Sequence, residues 1–162
     1  METIPPPRSL KHPDALLSTW FGVGRAPVAQ GTWGSLVILP PAYLIAETVG
    51  APGLLIAAAV LFAIGVWASG TYSRETGNPD PKEVVIDEVA AQLLPLTLAP
   101  PSLLGWLAAF ALFRFFDILK PWPCSYIDRT FHGGIGVMAD DMMAGVYATG
   151  CMAALGAMGV WQ

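Results

Sequence analysis

Two adjacent pairs of carboxylates, Asp87-Glu88 and Asp140-Asp141, stand beside long stretches of the 162-residue chain that carry no charge. Oxygen ligands of this kind suit Mg²⁺, which usually takes one or two protein carboxylates and keeps its other positions for waters and substrate oxygens. Asp80, in a turn-forming Asn-Pro-Asp-Pro stretch shortly before the first pair, is a further candidate. We therefore expect one or two magnesium ions, with ligands drawn from Asp80, Asp87, Glu88, Asp140 and Asp141. Acidic residues also stabilise helix N-termini, so helix capping is the alternative role for either pair.

A second charged group, Arg114, Asp117 and Lys120, recurs at intervals of three residues, which places all three on one face of a helix. Pro121 favours the end of that helix immediately after Lys120. The two cations are suited to binding phosphate oxygens, with Asp117 orienting them, ligating metal or accepting a proton. A ladder of salt bridges along the helix is the structural alternative.

A glycine-rich segment, residues 22–35, leads into the first apolar part of the chain. The start of a helix presents unpaired amide hydrogens that bind anions, so Gly31, Thr32 and Ser35 are candidate phosphate-binding residues. Either hydroxyl is also a candidate helix N-cap. The segment lacks the Gly-Lys-Ser/Thr ending of a P-loop. Arg129 is a further candidate for binding substrate, with a local ion pair to the preceding aspartate as the alternative.

Four charge-free runs, each of twenty-one residues or more, separate these groups: 26–46, 48–73, 89–113 and 142–162. An apolar stretch of about 20 residues is enough helix to cross the hydrocarbon core of a bilayer. The chain is 54% hydrophobic and only 12% charged, whereas soluble domains carry about 25% charged residues. We therefore predict one all-α domain over residues 1–162, an integral membrane bundle of about four to five spanning or re-entrant helices.

Prolines and turns divide these runs into predicted helices over about 32–48, 54–72, 88–99, 102–119 and 140–160. A pair of prolines kinks or breaks the first of them, and the third and fourth form a hairpin. This path brings all eight lysines and arginines, and eleven of the twelve acids, to one side of the membrane. The positive-inside rule makes that side the cytoplasm, so the active site is predicted at the cytoplasmic face. The chain has no basic stripe, which argues against nucleic acid as a partner.

Five motifs follow one another in order between about residues 15 and 160. They are Gly31-Thr32-x-Gly34-Ser35, Asp80-Pro-x-x-Val-Val-Ile-Asp87-Glu88, Phe113-Arg-x-x-Asp117-Ile-x-Lys120-Pro-x-Pro123, Asp128-Arg129 and His132-Gly-Gly-x-Gly-Val-Met-x-Asp140-Asp141. Together they resemble the phosphatidylglycerophosphatase A family. The resemblance implies a magnesium-dependent phosphatase of the bacterial inner membrane. Such enzymes convert phosphatidylglycerophosphate to phosphatidylglycerol and inorganic phosphate.

On this basis the expected residues fall into two overlapping sets, one catalytic and one that binds substrate. The catalytic set is Asp87, Glu88, Asp117, Lys120, Asp140 and Asp141. The substrate-binding set is Gly31, Thr32, Ser35, Arg114, Lys120 and Arg129. Direct attack by water and a phospho-aspartate intermediate are both open, as are the number of metal ions and the oligomeric state.

Two other classes of membrane protein compete with this interpretation. A CDP-alcohol phosphatidyltransferase also uses acidic metal sites, but its Asp-Gly-x-x-Ala-Arg signature is missing from this chain. An ion transporter is expected to place acidic residues at mid-membrane depth, whereas the acids here flank the apolar runs. The lipid phosphatase is therefore the favoured hypothesis.

Overall fold

The computed structural model describes residues 7–79 and 81–161, so the predicted metal ligand Asp80 lies outside the described residues. Within those ranges the chain forms helices and no strand, which confirms the predicted all-α class. The helices are α1 (Pro13–Ser18), α2 (Gln30–Val37), α3 (Leu39–Thr48), α4 (Ala51–Thr76), α5 (Ile86–Leu96), α6 (Leu103–Leu119), α7 (Cys124–Thr130) and α8 (Gly133–Ala157). A short 3₁₀ turn, Val23–Arg25, lies between α1 and α2.

The first predicted helix is broken into two, α2 and α3, near its pair of prolines. Pro40 lies in the first turn of α3, where its missing N–H leaves no hydrogen bond unmade. The predicted capping role of Thr32 or Ser35 is wrong, because α2 begins earlier and its N-cap is Ala29. Ser35 lies inside the helix and its hydroxyl donates to the Gly31 carbonyl at 3.0 Å.

Helix α4 extends the predicted 54–72 segment by about a turn at its C-terminal end and stops at Gly77, whose left-handed conformation ends the helix. In the described part of the chain, α4 is the one helix that is long and apolar enough to cross a membrane. Only 28% of the residues in its most apolar window are buried, and several of the others are exposed. The prediction of four to five membrane helices is not confirmed by helix length and composition.

Helix α5 lies at the centre of the fold, packed against α2, α4, α6 and α8. Val89 and Leu93 are fully buried among apolar side chains of the neighbouring helices. Gly145 of α8 lies so close to the Ala91 carbonyl that a Cβ atom there would be 2.8 Å from its oxygen. These contacts lie one turn beyond the acidic pairs on α5 and α8, so the backbone packing brings the two pairs together.

Helix α8 begins at Gly133 and ends at Ala157, so the predicted 140–160 boundaries are wrong. Its first turn contains the glycine run of residues 133–136, which the predicted boundaries leave outside the helix. A Cβ on Gly134 would overlap the Val66 carbonyl, so glycine here permits close helix packing rather than a turn. The Asp140-Asp141 pair therefore lies about two turns inside the helix, which excludes helix capping as its role.

Candidate active site

A cleft of about 510 Å³ opens where the start of α5, the end of α6 and the N-terminal half of α8 meet the segment between α4 and α5. Six carboxylates line it, namely Asp87, Glu88, Asp117, Asp128, Asp140 and Asp141. Two lysines, Lys82 and Lys120, line it as well. All six residues of the predicted catalytic set are among these eight, although they come from three separate segments of the sequence.

The acids at the base of the cleft form a compact group. One oxygen each from Asp87, Glu88 and Asp141 lie within 4.8 Å of one another. Asp87 and Glu88 occupy the first turn of α5, so both carboxylates stay near its N-terminus. Asp141 reaches them from the second to third turn of α8 and is only 5% exposed.

This three-carboxylate cluster is electrostatically costly on its own. Withdrawal from water, followed by repulsion from Glu88, raises the pKa of Asp87 well above its ordinary value. Burial and the charges of Asp117, Asp87 and Glu88 raise the pKa of Asp141 in the same way. Glu88 Oε2 is buried and has no hydrogen-bond partner in the part of the chain that the structure describes. An oxygen-only donor set with an unsatisfied buried oxygen fits a hard divalent cation such as Mg²⁺.

Arg114 and Asp117 form one wall of this cluster. They are one turn apart on α6, and Arg114 Nη1 lies 2.5 Å from Asp117 Oδ2. The same nitrogen lies 3.9 Å from Glu88 Oε1 and donates to Ser35 Oγ at 3.5 Å. Arg114 therefore joins α2, α5 and α6 behind the carboxylates, and Asp117 fixes its direction.

Lys120 does not continue the face formed by Arg114 and Asp117, so the prediction that all three share one helical face is wrong. Helix α6 ends one residue earlier, and Lys120 adopts a left-handed backbone conformation with a φ of 44°. That conformation turns its ammonium toward Asp140 Oδ2 at 2.6 Å and Asp128 Oδ1 at 3.0 Å. Burial alone would lower the pKa of Lys120, but the hydrogen bond and ion pair with Asp140 raise it above its ordinary value. Lys120 is thus held as a cation in the wall of the cleft.

The adjacent acids Asp140 and Asp141 consequently contact different groups. Asp141 faces the α5 carboxylates, whereas Asp140 pairs with Lys120. Successive residues of a helix point about 100° apart, which separates the two side chains. In the described residues the three-carboxylate cluster does not include Asp140, so its predicted role as a metal ligand stays a prediction.

Of the glycine-rich segment, Gly31 reaches the cleft. A Cβ at this position would overlap the Glu88 carboxylate, so a larger residue would displace that carboxylate. Ser35 is buried behind the cleft, where its hydroxyl accepts a hydrogen bond from Arg114. Thr32 does not line the cleft.

Arg129 lies on α7 with its side chain exposed, and it too is absent from the lining of the cleft. Its predicted role in substrate binding stays a prediction. The preceding Asp128 pairs with Lys120. The sequence reasoning missed Lys82 and Gln30, which both line the cleft. Lys82 sits between the acidic residues of the 80–88 motif, and its charge was the signal that could have identified it.

Comparison with known proteins covers the same part of the chain as the five motifs. A family model described as "Phosphatidylglycerophosphatase A" matches residues 16–156. The chain belongs to this family. The resemblance inferred from the five motifs is thereby confirmed, and with it the prediction that the chain is a phosphatase.

Two relatives of this family carry the name phosphatidylglycerophosphatase A. The Haemophilus influenzae protein is 39% identical over 141 residues, covering 86% of each chain. The Escherichia coli protein is 35% identical over 150 residues, covering 91% of this chain and 86% of the relative. A Bacteroides thetaiotaomicron protein, named provisionally as a phosphatidylinositol-3-phosphatase, is 40% identical over 141 residues, covering 82% of this chain and 87% of the relative. No solved structure matches the chain.

Proposed function

We propose that this member of the phosphatidylglycerophosphatase A family hydrolyses phosphatidylglycerophosphate to phosphatidylglycerol and inorganic phosphate, and that it requires Mg²⁺. The observation that carries the proposal is the cluster of Asp87, Glu88 and Asp141 at the base of a cleft whose wall holds the cation Lys120. Hydrolysis of a phosphomonoester needs stabilisation of charge on the phosphoryl oxygens more than it needs covalent chemistry. The two named relatives support the choice of substrate.

The metal would be held by Asp87, Glu88 and Asp141. When bound, Mg²⁺ supplies Lewis-acid stabilisation to the phosphoryl group and lowers the pKa of a coordinated water. Asp80 and Asp140 remain proposed as further ligands for a second ion. The buried Glu88 oxygen, which has no hydrogen-bond partner among the described residues, supports this assignment, because a cation would satisfy it.

The protein's own cations would bind and orient the phosphomonoester. Lys120 is fixed by Asp140 and Asp128, so its ammonium is in place before substrate enters. Arg114, held by Asp117, lies behind Glu88 and adds positive potential at the base of the cleft. The first amides of α2, next to Gly31, add hydrogen-bond donors for a phosphoryl oxygen.

We further propose that the chain resides in the bacterial inner membrane, with the cleft at the cytoplasmic face and the acyl tails of the substrate in the bilayer. Helix α4 has 26 residues, or about 39 Å of helix, against about 30 Å of hydrocarbon core. Large apolar side chains such as Ile56 and Trp67 are more than half exposed on its surface, unlike those of a core helix. The segment after α4 lines the cleft, which supports a site at the depth of the lipid head groups. The α5–α6 hairpin and α8 would complete a multi-pass bundle around it.

Substrate profiling tests this proposal. Purified protein in detergent micelles should release phosphate fastest from phosphatidylglycerophosphate, in comparison with phosphatidic acid and phosphatidylinositol 3-phosphate. The name of the Bacteroides relative favours the last of these as a second candidate substrate. Faster release from phosphatidylinositol 3-phosphate would replace the proposed substrate, and product formation that depends on CMP would point to a phosphatidyltransferase instead.

A further inference from the structure

The cationic side chains at the cleft differ in how many carboxylates each one already contacts. Lys120 is bound to two carboxylates, and Arg114 is bound to Asp117 and lies near Glu88. Lys82 also lines the cleft, but its side chain is exposed and makes no ion pair or hydrogen bond with any other described residue. Among the described lysines and arginines at the cleft, Lys82 is therefore the one that is available to a second anionic group.

The backbone around Lys82 is fixed on both sides, so its position at the cleft is not that of a random surface lysine. On one side Pro81 is buried, and its carbonyl accepts a hydrogen bond from the Val84 amide at 3.0 Å. On the other side Glu83 accepts a hydrogen bond from the Tyr72 hydroxyl at 3.1 Å. The Val85 amide donates to the Ser18 carbonyl at 2.9 Å. A preformed backbone lowers the entropic cost of using this side chain to bind a ligand.

The proposed substrate carries two phosphates. Its terminal phosphomonoester is the group that is cleaved, and a phosphodiester joins the glycerol head group to the acylated glycerol. The cleft, at about 510 Å³, falls within the range of about 300–1,000 Å³ typical of sites that hold a whole small molecule. With the monoester at the carboxylate cluster and Lys120, the phosphodiester needs a cation of its own nearer the membrane. Lys82 stands on the segment that joins α4, the helix proposed to cross the membrane, to α5.

We propose that Lys82 binds the phosphodiester of the substrate and thereby selects lipids that carry a second phosphate beyond the one that is cleaved. This inference rests on the proposed function. Removal of the lysine charge should weaken binding of the substrate without changing the chemical step, because Lys82 does not touch the reacting phosphoryl group.

Phosphate release from phosphatidylglycerophosphate in neutral micelles tests the inference, with Lys82→Ala, the charge-conserving Lys82→Arg, and Lys11→Ala as a control. Lys11 is an exposed lysine of the N-terminal segment outside the cleft. We expect Lys82→Ala to raise KM about five- to tenfold with kcat within twofold of wild type. The other two variants should stay within twofold of wild type in both constants.

Inhibition by two small molecules, glycerophosphoglycerol and inorganic phosphate, distinguishes the two phosphate sites. Glycerophosphoglycerol carries only the phosphodiester, and its inhibition should weaken in Lys82→Ala by about the same factor as KM. Inhibition by inorganic phosphate should not change. An unchanged KM in Lys82→Ala overturns the inference, and so does equal weakening of inhibition by inorganic phosphate, which would assign Lys82 to the monoester. An equal rise of KM in Lys11→Ala would show general attraction to the lipid surface instead. A wild-type protein that releases no phosphate from this lipid overturns the proposed function, and the inference with it.

Discussion

Replacement of Asp141 by asparagine should stabilise the metal-free protein while it removes activity. Carboxylate oxygens of Asp87, Glu88 and Asp141 lie within 4.8 Å of one another, so each ionised pair repels by about 3.5 kcal/mol at an effective dielectric constant of about 20. The raised pKa of Asp141 means that the folded state disfavours its ionised form, and this cost is present at any pH above the folded pKa. Asparagine has the same shape and no charge, so it removes the cost.

Partial protonation of the cluster relieves some of the repulsion, so the expected gain for Asp141→Asn is about 1–2 kcal/mol. In a chain of this size 1 kcal/mol corresponds to about 2–4 °C in Tm. The Tm measured in chelator should therefore rise by about 2–8 °C. Magnesium at about a hundred times its Kd should stabilise the wild-type protein by about 2.7 kcal/mol, and most of this increment should be lost in the variant along with one ligand.

Thermal unfolding in detergent, with EDTA or with Mg²⁺, measures both effects, and phosphate release from the lipid measures activity, which should fall at least a hundredfold. Glu47→Gln is the matched control, because it removes one negative charge from an exposed position of α3 outside the cleft. It should change neither Tm nor activity. An Asp141→Asn protein that is less stable than wild type in EDTA, or that keeps the full stabilisation by magnesium, would refute the reasoning.

Two further predictions concern the walls of the cleft. Gly31→Ala puts a methyl group where the Glu88 carboxylate lies, so phosphate release should fall tenfold or more. The control Gly150→Ala should keep the wild-type rate, because a Cβ there meets no described atom within 4 Å. Equal rates in the two variants would contradict the close contact between Gly31 and Glu88. Lys120→Ala leaves the buried Asp140 without its partner at 2.6 Å. The loss should cost about 1–3 kcal/mol of stability, a range kept small because the lysine is only partly buried. The variant should also lose turnover. Adding Asp140→Asn to Lys120→Ala should restore the Tm but not the turnover, and a double variant no more stable than the single one would contradict the ion-pair assignment.

The gathering of distant acids was predictable from the sequence because charge is confined to short segments between apolar runs. Asp87 and Asp141 lie in separate segments of the sequence, but the runs that follow them pack side by side through contacts such as Gly145 against Ala91. Helices that align one turn beyond each acid bring the acids themselves together. The all-α class and the family follow from the same pattern and its motifs.

Three features depend on tertiary contacts that no local pattern encodes. The glycines at residues 133–136 precede the predicted helix, but they form the first turn of α8, where the Val66 carbonyl lies against Gly134. Lys120 follows the spacing of a helical face, yet the helix ends before it and a left-handed residue redirects the side chain to Asp140. Asp140 contacts Lys120 and Asp141 faces the α5 carboxylates. This difference depends on the orientation of α8, which residue spacing alone does not determine.

The most direct test of the account is the rate of phosphate release from phosphatidylglycerophosphate by chelator-treated protein as Mg²⁺ is added back. Wild-type protein should be inactive after treatment with EDTA and should recover saturably with magnesium. Asp87→Asn should fail to recover at any magnesium concentration that restores the wild type. Full activity in EDTA, or full recovery of Asp87→Asn, would contradict a metal-dependent phosphatase built on the Asp87, Glu88 and Asp141 cluster.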